Sequence, residues 1–148
     1  MRQLMKAGLI AMMFAMPAAW AQNASPAGTW KTIDDETGKP KSLVRITEEN
    51  GVLTGKIEKL FRPADQDQNP KCTACEGARK DQPIIGMTIL SGLKKDGNEY
   101  TGGEILDPSK GKTYKSKASL KDNGSKLEVR GYIGAPMFGR SQTWVREQ

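Results

Sequence analysis

The sequence has no histidine, only two cysteines and few aromatic residues, with three Trp, three Tyr and three Phe in 148 residues. Without an imidazole, Ser–His and Cys–His catalytic pairs, histidine-ligated metal sites and histidine-based pH switches are excluded. No apolar run reaches the roughly 18 to 20 residues that a membrane-spanning helix needs. The length is that of one domain, so we expect a single unit whose function uses neither imidazole nor a spanning helix.

The N-terminal residues 1–21 have the pattern of a cleaved signal peptide. Arg2 and Lys6 provide a positive start, residues 7–16 are apolar, and Ala19-Trp20-Ala21 is the small-x-small pattern that a signal peptidase cuts. The apolar run is too short to anchor the chain in a bilayer. Cleavage after Ala21 is therefore expected to release residues 22–148 as an exported domain.

The remaining chain alternates between apolar or small residues and charged ones. From residue 114 to 121, one face has Tyr114, Ser116, Ala118 and Leu120, whereas the other face is mostly Lys. This period of two is typical of antiparallel strands that are buried on one face. Large apolar residues are few after residue 21, which disfavours a helical bundle and favours short strands around a thin core.

Turn sequences such as Asn50-Gly51 and Asp96-Gly97 separate eight such strands. Closing an up-and-down sheet into a barrel removes its exposed edges. We therefore expect an all-β domain, a single eight-stranded antiparallel barrel, in which a long flap of about 22 residues from Arg62 to Pro83 connects strands three and four. The predicted strands are Gly28–Asp34, Ser42–Glu49, Val52–Leu60, Gly86–Lys94, Glu99–Leu106, Lys112–Lys121, Lys126–Ile133 and Arg140–Glu147.

The two ends of the chain carry a pattern that resembles the lipocalin and calycin arrangement. Gly28-Thr29-Trp30 opens the first strand, and Arg146 ends the last. In that arrangement the arginine covers the tryptophan and seals one end of the barrel by a cation–π contact. The alternative is that Trp30 and Trp144 are ordinary core residues of the same barrel.

Six further segments are similar to a family of exported bacterial proteins, domain of unknown function 2147. The resemblance covers residues 28–146, including both cysteines. It implies a small lipocalin-like barrel in the bacterial periplasm and no established activity. The segments are Trp30–Asp35, Gly38–Ser42, Gly103–Pro108, Gly111–Tyr114, Val129–Tyr132 and Gly139–Trp144.

Cys72 and Cys75 lie inside the predicted flap, in the motif Cys-Thr-Ala-Cys. Two cysteines this close in an exported protein usually form a disulfide, which here would stiffen the flap. Two alternatives remain open. A thioredoxin-like redox role requires the motif at a helix N-terminus, and a zinc site requires further ligands from carboxylates or a second chain.

The positive charge and one apolar segment indicate possible partners. Cleavage would remove Arg2 and Lys6 and lower the formal charge from +6 to +4, which outward Lys and Arg of the strands carry; an anionic lipid or polymer of the cell envelope is the expected target of this charge. Export disfavours nucleic acid as a partner. Between Gly131 and Gly139, the residues Tyr132, Met137 and Phe138 either border a ligand entrance or plug the barrel.

These observations predict a non-enzymatic carrier or sensor of a small hydrophobic or amphipathic ligand such as a lipid or fatty acid. The inward positions are often small, which is expected to leave a cavity; they are Gly55, Gly102, Ser116, Ala118 and Gly131. The expected ligand-binding residues are Tyr114, Ala118, Tyr132, Met137 and Phe138. No catalytic residue, metal ligand or cofactor is predicted.

Two other functions compete with this one. The second is a structural or interaction module of the envelope with a filled barrel and a binding surface on the flap. The third is an enzyme of unknown class, which we rank last because no set of residues offers a nucleophile with its base.

Overall fold

The computed structural model describes residues 25–147, so the predicted signal peptide lies outside the described residues. The described chain forms eight strands, and its only helical segments are two 3₁₀ turns at Gly77–Arg79 and Asp122–Gly124. Within residues 25–147 no helix is long and apolar enough to cross a bilayer. The strands are β1 (Gly28–Ile33), β2 (Pro40–Glu49), β3 (Val52–Leu60), β4 (Thr88–Asp96), β5 (Glu99–Asp107), β6 (Lys112–Lys121), β7 (Lys126–Tyr132) and β8 (Gly139–Arg146).

The strands close into an antiparallel barrel. Each strand pairs with the next one along the chain, and β8 pairs back with β1 through Trp30 opposite Arg146 and Lys31 opposite Val145. The eight described strands therefore leave no edge unpaired. The predicted fold is confirmed, and the predicted strand bounds agree with the observed ones to within two residues.

The loops divide the barrel into two different ends. At one end, which we call the closed end, three short turns connect β2 to β3, β4 to β5 and β6 to β7. The first of these turns is Asn50-Gly51, where both residues have positive φ, as a tight hairpin turn requires. The other end, the open end, carries the longer connections, including residues 61–87 between β3 and β4, which we call the flap.

The core fills the half of the barrel next to the closed end. Large side chains from several strands are buried there, among them Trp30, Ile46, Leu53, Leu93 and Leu127. Ile46, Leu53, Leu93 and Leu127 alternate with exposed or half-buried neighbours along their strands, as the period-two pattern predicts, whereas Trp30 follows the buried Thr29. The closed half is therefore packed solid with side chains.

The expectation that the five small inward residues leave a cavity is wrong at four of them, since only Gly131 lines the cavity at the open end, and Ser116 and Ala118 are buried in the packing. A Cβ on Gly55 would lie 3.0 Å from the Cβ of Leu90, so the leucine already occupies that space. Gly102 is exposed and has a φ of 74°, because the pairing of β5 with β6 shifts register between Tyr100 and Gly103. Gly103 therefore faces inward instead, against Leu93.

Candidate functional site

Arg146 and Trp30 form the seal of the closed end. The guanidinium carbon of Arg146 lies 4.4 Å from the centroid of the Trp30 ring, which is the geometry of a cation–π contact. The same guanidinium donates hydrogen bonds to the carbonyl oxygens of Gly124 (2.7 Å), Ala27 (2.9 Å) and Ser25 (2.8 Å). Burial lowers the pKa of Arg146. This one side chain joins the β6–β7 turn to the segment before β1.

A cavity of about 690 Å³ occupies the open half of the barrel. Its lining includes five buried apolar side chains contributed by strands β3 to β5, β7 and β8. They are Ile57, Ile89, Leu106, Val129 and Trp144. Because strand positions of the same parity share a face, Ile57, Val129 and Trp144 continue the inner face that carries the core, whereas Ile89 and Leu106 reach the cavity from irregular positions on β4 and β5.

Two pairs of neutral polar groups in the lining bond to each other. The hydroxyls of Thr32 and Ser42, on β1 and β2, lie 2.6 Å apart and form a hydrogen bond. The Gln142 Oε1 accepts a bond from the Trp144 indole N–H at 3.3 Å. Since polar groups that are already paired cost little when an apolar ligand displaces water, this lining suits a hydrocarbon surface.

The flap forms one wall of the cavity. It contributes Pro70, Thr73, Ala74 and Ile84 to the lining, and its chain is tied to β3 by the Ile57 N–H, which donates to the Met87 carbonyl at 3.0 Å. In this position the flap covers the side of the open end and restricts the entrance to the cavity.

The predicted disulfide between Cys72 and Cys75 is confirmed, and both residues are buried. The bridged segment lies against the β5–β6 turn, where the Cys72 sulfur is 3.4 Å from the Pro108 carbonyl oxygen. Gly111 in that turn has a φ of 64°, and a Cβ there would collide with the Ala74 carbonyl. The disulfide therefore holds the flap in a shape that docks on this turn.

Of the five residues predicted to bind ligand, Tyr114, Tyr132 and Phe138 line the cavity. Ala118 does not, because it is covered by its neighbours between Tyr100 on β5 and Val129 on β7, with 2% of its surface exposed. Met137 does not line the cavity either, and 76% of its surface is exposed.

The β7–β8 loop, residues 133–138, stands at the mouth of the cavity and does not plug it. Its Ile133 and Phe138 side chains are 67% and 69% exposed. The outward-facing Arg130 supports the loop, since its Nε donates to the Pro136 carbonyl at 2.6 Å and its Nη2 to the Gly139 carbonyl at 3.2 Å. The loop thus gives the mouth an apolar border on one side.

Several lining residues were not predicted from the sequence. Thr32 and Gln142 share the inner face with Trp30 and Trp144, two positions away in each case, so the period-two pattern counted from the tryptophans would have found them. The flap residue Ile84 has no such signal, because the flap follows no regular period.

A closed eight-stranded antiparallel barrel with one sealed end and a cavity at the other defines a lipocalin-like protein. A solved structure described as "Protein HP1028 from the human pathogen Helicobacter pylori belongs to the lipocalin family" has the same fold, with a TM-score of 0.69, 24% sequence identity and 84% of each chain covered. The model of the family described as "Uncharacterized protein conserved in bacteria (DUF2147)" matches residues 28–146, and the chain belongs to this family, as the resemblance implied. No curated protein matches the chain.

Proposed function

We propose that this protein is a non-enzymatic periplasmic binding protein, a carrier or sensor, that holds a small hydrophobic or amphipathic ligand such as a lipid in the open-end cavity. The observation that carries the proposal is the cavity itself. Its volume of about 690 Å³ falls within the roughly 300 to 1,000 Å³ of small-molecule sites. Predicted export through the signal peptide supports the periplasmic location.

The cavity wall supports an elongated apolar ligand. An eight-stranded barrel is either filled by its own side chains or holds one small ligand, and here side chains fill only the closed half. Burying an alkyl chain is favourable by about 0.8 kcal/mol for each methylene. An aliphatic chain that enters between Ile57, Ile89 and Val129 would remove its surface from water without breaking the two hydrogen bonds between polar side chains of the wall.

The same cavity argues against the two competing functions. A structural barrel that is filled by its own side chains would not contain a cavity of this volume at one end. For an enzyme, the lining within residues 25–147 offers one carboxylate, Asp107, and its Oδ1 already accepts the backbone N–H (3.0 Å) and the hydroxyl (2.6 Å) of Ser109. This arrangement supports binding without catalysis.

A cavity-filling variant tests the proposal. The neutral fluorescent probe N-phenyl-1-naphthylamine is expected to bind the wild type and to lose affinity for Ile89→Trp, because the larger side chain enters the cavity. Val145→Trp is the matched control, since Val145 lies on the outer face of β8 and does not line the cavity. Equal probe affinity in Ile89→Trp and the wild type, with both variants folded, would contradict the proposed site.

A second measurement identifies the natural ligand. Protein purified from the periplasmic fraction of its own cells is extracted with organic solvent, and the extract is analysed by mass spectrometry. A copurifying lipid supports the carrier function. If no lipid copurifies and the fluorescent probe does not bind, the proposed function is wrong.

A further inference from the structure

The charged side chains that line the cavity are almost all of one sign. Five are cationic and come from four different segments at the open end, and within residues 25–147 the only acidic residue in the lining is Asp107. Its carboxylate is engaged by Ser109. We call the five cationic residues the cationic rim: Lys41, Arg62, Lys71, Lys110 and Arg140.

Two members of the cationic rim already have partners. The Arg140 guanidinium forms an ion pair with the Asp35 carboxylate at 2.9 Å. The Arg62 Nη1 donates to the backbone carbonyl of Asp67 at 2.7 Å. These two arginines shape the loops around the mouth and are less available to a ligand.

The three lysines of the rim have no such partners. Within residues 25–147, no carboxylate oxygen lies within 4.0 Å of the ammonium of Lys41, Lys71 or Lys110. Lys41 is at the start of β2, Lys71 in the flap and Lys110 in the β5–β6 turn, and barrel closure brings all three to one cavity. Like charges at a shared opening repel one another, and a bound anion relieves that repulsion.

We propose that the cavity binds an amphiphile with an anionic head group, its apolar chain inside the barrel and its head at Lys41, Lys71 and Lys110. This inference rests on the proposed function and adds the charge of the ligand. The buried part of the lining is neutral and largely apolar, whereas the three free ammonium groups lie among the exposed residues at the mouth. A carboxylate or a phosphate monoester shares the chemistry that this arrangement recognises.

Competition among ligands of equal chain length tests the inference. Dodecanoate, dodecyl phosphate and dodecanol are compared as displacers of N-phenyl-1-naphthylamine from the wild-type protein. The two anions are expected to bind about tenfold more tightly than the alcohol, because three exposed charge contacts act together. Added salt is expected to reduce this difference, since salt screens exposed charges.

The rim is tested with the variant Lys41→Met, Lys71→Met and Lys110→Met combined. It is expected to bind dodecanoate and dodecanol with similar affinity. The matched control combines Lys56→Met, Lys94→Met and Lys121→Met, which removes the same charge from exposed strand residues that do not line the cavity. The control is expected to keep the wild-type preference for the anions.

The outcomes separate this inference from the proposed function. If the wild type binds the alcohol as tightly as the anions, or if the rim variant keeps the full preference, the inference is wrong while the carrier function stands. If no amphiphile displaces the probe, both are wrong. Titration with inorganic phosphate alone distinguishes the remaining case: binding as tight as that of dodecyl phosphate would indicate a free-anion site and overturn the amphiphile.

Discussion

Replacing Arg146 with Ala is expected to destabilise the barrel without altering its ligand affinity. Arg146 lies at the closed end and does not line the cavity. The replacement removes the cation–π contact with Trp30. It also removes the donor of three hydrogen bonds, so the carbonyls of Ser25, Ala27 and Gly124 lose their partner.

The structure allows the size of this loss to be worked out. Each of the three hydrogen bonds from the half-buried guanidinium contributes about 1 kcal/mol, and the cation–π contact contributes about 1 kcal/mol more. The expected loss is thus on the order of 3 to 4 kcal/mol, a large share of the roughly 5 to 15 kcal/mol by which domains are stable. Arg146→Lys keeps the charge over the ring but cannot reach all three carbonyls, so we expect about half of this loss.

Urea denaturation followed by tryptophan fluorescence measures the effect, because Trp30 and Trp144 are both buried in the fold. Arg45→Ala is the matched control. Arg45 is exposed, its contact with Glu58 is a long 3.9 Å ion pair, and its Nη1 donates one hydrogen bond to the Thr29 hydroxyl at 3.3 Å, so its removal is expected to cost about 1 kcal/mol or less.

Two results would refute this reasoning. One is a loss below about 1 kcal/mol in Arg146→Ala, which would mean that water replaces the guanidinium at little cost. The other is a folded Arg146→Ala protein with weakened probe binding, which would mean that the closed end and the cavity are coupled.

Three other perturbations probe the flap and the barrel interior. The double variant Cys72→Ser, Cys75→Ser is expected to lose about 2 kcal/mol or less, the value for so short a ring, and to speed amide hydrogen exchange in the flap but not in the strands. Gly111→Ala is expected to detach the flap from the β5–β6 turn, seen as the same local increase in exchange. Gly38→Ala, at a similar positive φ with open space around it, should cost only about 1 to 2 kcal/mol of strain and leave the flap protected. The hydroxyl of Ser116 is buried without a hydrogen-bond partner among the described residues, so Ser116→Ala is expected to leave stability unchanged or raise it by up to about 1 kcal/mol; a clear loss in thermal denaturation would show that this hydroxyl is satisfied.

Local patterns in the sequence were sufficient to predict the strands and the closed barrel. Alternation of apolar and charged residues reports which face of a strand is buried, and turn pairs such as Asn50-Gly51 mark where strands end. Both signals depend on neighbours a few residues apart, so no knowledge of distant contacts was needed. The disulfide was predictable for the same reason, since Cys72 and Cys75 are three positions apart.

Whether a single residue points into or out of the barrel was harder to predict from the sequence, because one irregularity in strand pairing reverses the alternation of faces after it. The register shift in β5 places Gly103, and not Gly102, inside the barrel. Nothing in the local sequence distinguishes these two adjacent glycines. The pairing of β5 with β6, the next strand along the chain, decides which of the two glycines faces inward.

The location of the cavity and the charge of its mouth were decided only by the tertiary structure. An inward glycine leaves space only if no neighbour fills it, and Leu90 fills the space beside Gly55. In the same way, Lys41, Lys71 and Lys110 are far apart in the chain and meet at one opening because the strands close into a barrel. Alternation and turns are local properties of the chain, whereas an empty volume and a shared charge depend on which distant side chains come together.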